Sequence, residues 1–303
     1  MKTKLLNTKG LAKAVLVAAV AVTTSSEALT IRHDRGVLTY ENFGRFSRFD
    51  GSCVISRRNN PNIGIAGSTC FDDQFVILAR HTLRGAENYM NNTGDLTQIR
   101  PRGAESGLTQ HQSNNRRVRI EQITYFDDDF SSFANAIDIA IAGSPFTIQP
   151  IRRAVLHNRS DELGRICSAA SGANNRSDGD GNSRRNENEN TSNSRDPRTV
   201  RWGGQNRVDQ ITSASRTIRT DFDSSRNSDP NSSGSSSPHN REFGIAGGDS
   251  GSPIYIARGT VPNSISGILS GGLGGNRYGA RTSYVRVSYY RFWAFDTLNS
   301  SPL

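Results

Sequence analysis

Lysine is absent beyond residue 13. Lys2, Lys4, Lys9 and Lys13 are the only four, so of the 37 basic residues in this 303-residue chain the other 33 are arginine. Cysteine occurs three times, and methionine and tryptophan twice each. No apolar run approaches the roughly 20 residues that span a bilayer, which argues against an integral membrane protein. Hydrophobic residues make up 34% of the chain and its mean hydropathy is −0.59. That is low for a globular protein, but the apolar and aromatic residues gather in short segments, which full disorder would not produce. No histidine or cysteine spacing fits a metal site, and none is expected. The length accommodates one large or two small domains with a real core.

The lysines belong to a separate pattern. They precede a short apolar run, Ala14 to Val22, then polar Thr23 to Ser26 and small residues at Ser26 and Ala28. Positive charge, apolar stretch and small-residue exit are the parts of a secretion signal. Residues 1–28 are therefore predicted to be a signal peptide, Leu29 the first mature residue, and the protein secreted or periplasmic. Without residues 1–28 the chain has 33 arginines against 27 acids, about +6. These arginines are scattered among acids without interleaved aromatics, so a nucleic-acid or polyanion partner is not expected. Export permits a disulfide. Cys53 and Cys70 flank a turn-rich segment and either bridge a hairpin or, like Cys167, act as small buried hydrophobes.

Short β-type runs follow, separated by Gly, Asn and Asp. They include Cys53–Ser56, Phe75–Leu78, Arg117–Ile120, Ile137–Ile141, Pro253–Ile256, Ser264–Leu269 and Tyr284–Val287. Strands at this spacing with little helical periodicity predict an all-β barrel or sandwich. The exception is Tyr289–Leu298, whose pattern fits one amphipathic helix. Residues 171–200 hold seven Asn and five Ser with only Ala173 and Val200 apolar, and residues 224–240 are similar. Both are expected to be mobile surface loops, because neither buries enough apolar surface to offset its ordering entropy. Asp178–Asn182 with Glu189 has part of a calcium-loop pattern, but Ser183 stands where glycine is needed, and a solvated loop is the expectation.

The strongest local signal is Gly247-Gly-Asp-Ser-Gly-Ser-Pro-Ile-Tyr-Ile256. A serine among glycines sits on a tight turn, where it presents its Oγ beside backbone N–H groups converging on one spot. Gly248–Pro253 resembles the nucleophile motif of the chymotrypsin/trypsin-like serine proteases, with Ser252 in place of the usual glycine. Phe75-Val-Ile-Leu-Ala-Arg-His-Thr82 resembles that family's histidine element, with Arg80 in place of alanine, and Ile137-Asp-Ile-Ala-Ile141 resembles its aspartate strand. The chain order His81, Asp138, Ser250 is also the family's. The resemblance runs from about Phe43 to residue 298.

It implies two six-stranded antiparallel β-barrels, residues 29–147 carrying His81 and Asp138 and residues 148–303 carrying Ser250, with a C-terminal helix. It implies catalysis by His81, Asp138 and Ser250, and an oxyanion hole from the N–H groups of Gly248 and Ser250. Substrate-binding positions fall at Gly244, Ser270 and Gly272, with Thr282 opposite Gly272. A count of six residues back from the nucleophile puts the pocket base at Gly244, whereas an insertion would bring Glu242 there. Gly244 argues against cleavage after Arg or Lys, as do the arginines of the 171–200 loop, and small or apolar side chains are the hypothesised preference. The expected partners are protein or peptide substrates and a protein inhibitor, with no cofactor, nucleic acid or membrane, and the chain is expected to be a monomer. The alternative is a catalytically inactive homologue acting as a binding module. His33, His111, His157 and His239 match no motif and are expected at the surface.

Overall fold

The computed structural model describes residues 27–32, 34–57, 64–83, 97–101, 118–126, 137–148, 153–171, 175–179, 202–212, 214, 216–225, 234, 237–245, 249–258, 261–273 and 277–300. The chain is mostly β-sheet with a C-terminal helix, and one sheet forms a half-barrel. Strand β1 (Glu27–Arg32) and helix α1 (Val37–Gly44) come first. A seven-stranded antiparallel sheet follows: β2 (Ser52–Arg57), β3 (Gly64–Cys70), β4 (Phe75–Leu78), β5 (Thr97–Pro101), β6 (Val118–Arg119), β7 (Gln122–Tyr125) and β8 (Ala140–Gly143), in the order β6-β5-β2-β3-β4-β8-β7.

The second half contributes β9 (Val155–Leu156), β10 (Ile166–Ser171), β11 (Asn175–Gly179), β12 (Trp202–Arg207), β13 (Gln210–Thr212), β14 (Thr217–Asp221), β15 (Phe243–Gly244), β16 (Pro253–Arg258), β17 (Val261–Leu273) and β18 (Arg281–Arg286). Seven of these form a sheet ordered β12-β10-β16-β17-β18-β14-β13, with β9 alongside β17 as an eighth strand. Helix α2 (Val287–Ser300) leaves β18 directly and turns Val287, Tyr290, Ala294 and Thr297 inward at the 3-4-3 spacing of one helical face. Among the described residues neither ladder closes on itself, so the β content matches expectation while two closed barrels do not appear.

Period-two alternation builds the core. In β4 and the residue after it, Phe75, Ile77 and Ala79 face a central cluster while Val76 and Leu78 face another; Ile139 and Ile141 alternate with Ala140 and Ala142 in the same way. Unbroken apolar runs of this kind suit strands covered on both faces. The central cluster joins the two sheets, since it adds Tyr255, Ile265, Ile268 and Val285 from the second half and Val287, Tyr290 and Ala294 from α2.

The beginning of the chain packs against the second half. β1 pairs antiparallel with β15, Thr30 opposite Gly244 and Ile31 opposite Phe243, and parallel with β11. Leu29, Ile31 and Tyr40 belong to the second half's own apolar cluster. The Tyr40 hydroxyl accepts from the Arg32 N–H at 3.2 Å and donates to the Glu242 carbonyl at 2.9 Å. Of the expected signal peptide only Glu27 and Ala28 are described, and both lie in β1.

Two expectations need amendment, for residues 175–179 and for His157, and of the two alternatives left open for the cysteines the structure shows small buried residues. Residues 175–179, read as loop, form β11 because β1 offers them a partner edge. The three cysteines are free, buried thiols. Burial, helped by a hydrogen bond with the Cys70 thiol, pushes Cys53 well above its ordinary pKa. His157 is not at the surface: it is wholly buried, bonded to Ser264 Oγ and to Asp161 Oδ1, both at 2.9 Å. The calcium-like segment 180–189, His33 and His111 lie outside the described residues.

Glu162 and Arg286 tie β18 to the segment before β10. Their carboxylate and guanidinium form a buried fork, at 3.0 and 2.6 Å, and Ser288 Oγ donates to the same carboxylate at 2.6 Å. Breaking a buried pair strands a charge, whereas exposed pairs contribute little. Glu162→Ala should therefore lower unfolding free energy by about 3–5 kcal/mol. Arg119→Ala, which breaks the exposed pair with Glu121, should stay within about 1 kcal/mol, both read from urea midpoints.

Candidate active site

The pairing of β4 with β8 creates the first half of the site. These strands run antiparallel with Leu78 opposite Ala140, so the residues leaving β4 lie beside those entering β8. His81 and Asp138 occupy those positions. His81 Nδ1 lies 2.7 Å from Asp138 Oδ2, and the His81 backbone N–H donates to Oδ1 at 2.8 Å. Arg80, which replaces a small residue of the resembled motif, is buried and lies over the Tyr125 ring, its Cζ 4.7 Å from the centroid.

The hairpin of β16 and β17 creates the second half. Gly251 N–H donates to the Leu269 carbonyl at 2.8 Å and Leu269 N–H to the Ser252 carbonyl at 2.9 Å, which sets the Ser250 turn beside Ser270. Ser270 Oγ then donates to Asp138 Oδ2 at 2.6 Å. Asp138 thus receives three donors from two parts of the chain. Burial works against its charge, but the His81 ring, the Ser270 hydroxyl and the His81 N–H together hold the carboxyl below its ordinary pKa. As an anion it can only accept, so the proton on the imidazole sits at Nδ1 and leaves Nε2 with a free lone pair.

Ser250 is docked across the halves by its backbone, its carbonyl accepting from Gly67 N–H at 2.8 Å. Among the described residues no hydrogen bond joins its hydroxyl to His81. Gly251 has φ of +83°, and a Cβ there would strike the Gly67 carbonyl oxygen. Gly67 also explains the serine at 252: a Cβ at Gly67 would lie 2.8 Å from Ser252 Cα, so the missing side chain on β3 makes the room. Sequence reasoning passed over Gly67, one glycine of 29 with no motif around it. Gly248 lies outside the described residues, and with it one of the two expected oxyanion donors. Asp249 is wholly buried.

Of the expected substrate-binding residues, Ser270 is bonded to Asp138, and Gly272 is exposed on β17 opposite Thr282. Gly244 is buried in β15, where a Cβ would meet the Phe222 ring at 3.3 Å and Thr30 Cβ at 3.4 Å. Glu242 does not stand in for it. Its carboxylate is buried and accepts from the His239 N–H at 2.7 Å. Burial first, then the Asp223 and Asp221 charges, raise its pKa well above the ordinary value. Asp223 is pushed up to about 7 by burial and by Asp221.

Among the described residues, His157, Asp161 and Glu162 bring metal-type ligand atoms within 4.8 Å of one another. Each is already engaged, Glu162 by Arg286 and Ser288, Asp161 by Arg165 and His157, so the group is a structural network. No helix among the described residues is long and apolar enough to cross a membrane.

Two measurements check this electrostatic and steric picture. Asp223 and Glu242 bind a proton more tightly folded than unfolded, so unfolding free energy should fall as pH rises from about 4, the unfolded carboxylate value. For Asp223 the fall extends to about pH 7. Thermal melts across this window should show the decline, and Asp223→Asn should flatten it; an unchanged slope would contradict it. Gly251→Ala should destabilise by at least about 1–2 kcal/mol from the left-handed backbone alone, read by denaturant titration.

No protein-family model matches the chain, and no curated protein matches its sequence. The side-chain geometry is therefore what a functional reading rests on.

Proposed function

We propose that the protein is a secreted serine endopeptidase of the chymotrypsin kind, built on two β-barrels and selective for residues other than Arg and Lys. The observation that carries this is the convergence of His81 N–H, His81 Nδ1–H and Ser270 Oγ on the Asp138 carboxylate, with the Ser250 turn held beside it.

The chemistry follows from that arrangement. Ser250 Oγ attacks the carbonyl carbon of the scissile bond as His81 Nε2 takes its proton. Asp138 stabilises the imidazolium that forms, and the N–H groups of Ser250 and Gly248 hold the oxyanion. Collapse breaks the C–N bond, and the departing amine takes the proton from His81. Water, deprotonated by His81, then attacks the acyl-Ser250 ester and returns the hydroxyl and a carboxylic acid product.

The lack of a hydrogen bond between the Ser250 hydroxyl and His81 is the one feature that favours an inactive binding module instead. Such hydrogen bonds often tighten only with substrate bound, so the enzyme remains the stronger reading.

Ser250→Ala and Asp138→Asn should each lower peptide hydrolysis by about 10⁴-fold or more. Equal activity in the wild type and Ser250→Ala would end the proposal.

A further inference from the structure

Helix α2 is aromatic on the side it turns to solvent. Tyr289, Phe292 and Phe295 are 45%, 67% and 48% exposed. Their spacing places them within about 120° of arc on the helix. The buried face of Val287, Tyr290, Ala294 and Thr297 lies on the opposite side. Single exposed apolar residues are ordinary, but a contiguous aromatic ridge marks a contact surface.

Cations frame the ridge. The Arg216 guanidinium lies over the Tyr289 ring, 5.3 Å from its centroid, and its Nε–H donates to the Tyr289 hydroxyl at 3.3 Å. The Arg291 guanidinium lies over the Phe292 ring at 4.5 Å and also donates to the carbonyl of Asn158, the neighbour of exposed Arg159. The acids of that same segment are already matched, Asp161 by Arg165 and Glu162 by Arg286. α2 itself contains a single acid, Asp296.

This combination fits one occupant. Aromatic side chains on one face of a helix seat at the boundary between lipid headgroups and acyl chains, and arginines beside them meet anionic headgroups. A second copy fits less well. A two-fold contact sets the same patch against itself, so three arginines of each copy would face their equivalents with one aspartate each to offset them.

We propose that α2 is a docking surface for an anionic membrane, with the aromatic ridge seated among the headgroups and Arg159, Arg216 and Arg291 paired with lipid phosphates. Contact of this kind is made from one side and needs no spanning segment. It is independent of the chemistry at Ser250.

The test mixes the full chain with vesicles of phosphatidylcholine alone or of phosphatidylcholine with phosphatidylglycerol, and reads the bound fraction by flotation. Wild type should bind the anionic vesicles at least about tenfold more tightly than the neutral ones. Arg216→Gln should weaken anionic binding about fivefold and Phe292→Ala about tenfold. Both side chains are exposed, so the unfolding midpoints of the variants should match wild type. Every variant carries the same residues 1–28, whose own lipid affinity therefore cancels in the ratios. No binding to either vesicle, equal binding to both, or binding unchanged in both variants overturns the proposal. Self-association in sedimentation velocity that Phe292→Ala abolishes, without vesicle binding, overturns it in favour of a second copy. Peptide cleavage by the same samples tests the endopeptidase reading separately.

Discussion

The Asp138 carboxylate is the point on which both halves of the chain converge. Its two oxygens accept from the backbone and ring of His81 in the first half and from the hydroxyl of Ser270 in the second. A half-buried carboxylate holding three donors fixes distances that neither sheet could fix alone. It also dictates the imidazole tautomer, because an anion at this position leaves Nδ1 no role but donor. The central apolar cluster serves the same end, since it fuses the sheets that carry these groups.

Two antiparallel pairings bring His81, Asp138 and the Ser250 turn together, and glycines let the strands come close. β4 beside β8 delivers His81 to Asp138, and β16 beside β17 delivers the Ser250 turn to Ser270. Gly67 and Gly251 then allow the strands of the two halves to touch by backbone, where any side chain would force them apart. The first strand of the chain also ties into the second half, because β1 pairs with β15 and its Thr30 hydroxyl donates to the Ile245 carbonyl.

The strands were legible in the sequence where apolar runs are unbroken, as at Phe75–Leu78, or followed by a helical stripe, as at Tyr289–Leu298. The groups at the site were legible because tight turns and strand ends need particular residues, so His81, Asp138 and Ser250 stood out from their surroundings. What escaped notice depends on partners distant in sequence. β11 is polar throughout and becomes a strand only because β1 lies alongside. His157 sits in a polar stretch yet is buried, because Ser264 and Asp161 satisfy both ring nitrogens. The role of Gly67 is a contact across 185 residues with Ser252, and no local pattern encodes it.

The central claim is that Ser250 is a nucleophile activated by His81 and Asp138. Its most direct test is mass spectrometry of the protein quenched in acid seconds after mixing with an activated peptide ester. The expected result is one acyl group per chain, mapped to the peptide containing Ser250 and absent when His81 is replaced by alanine. Finding no adduct, or an adduct on another residue, would contradict it.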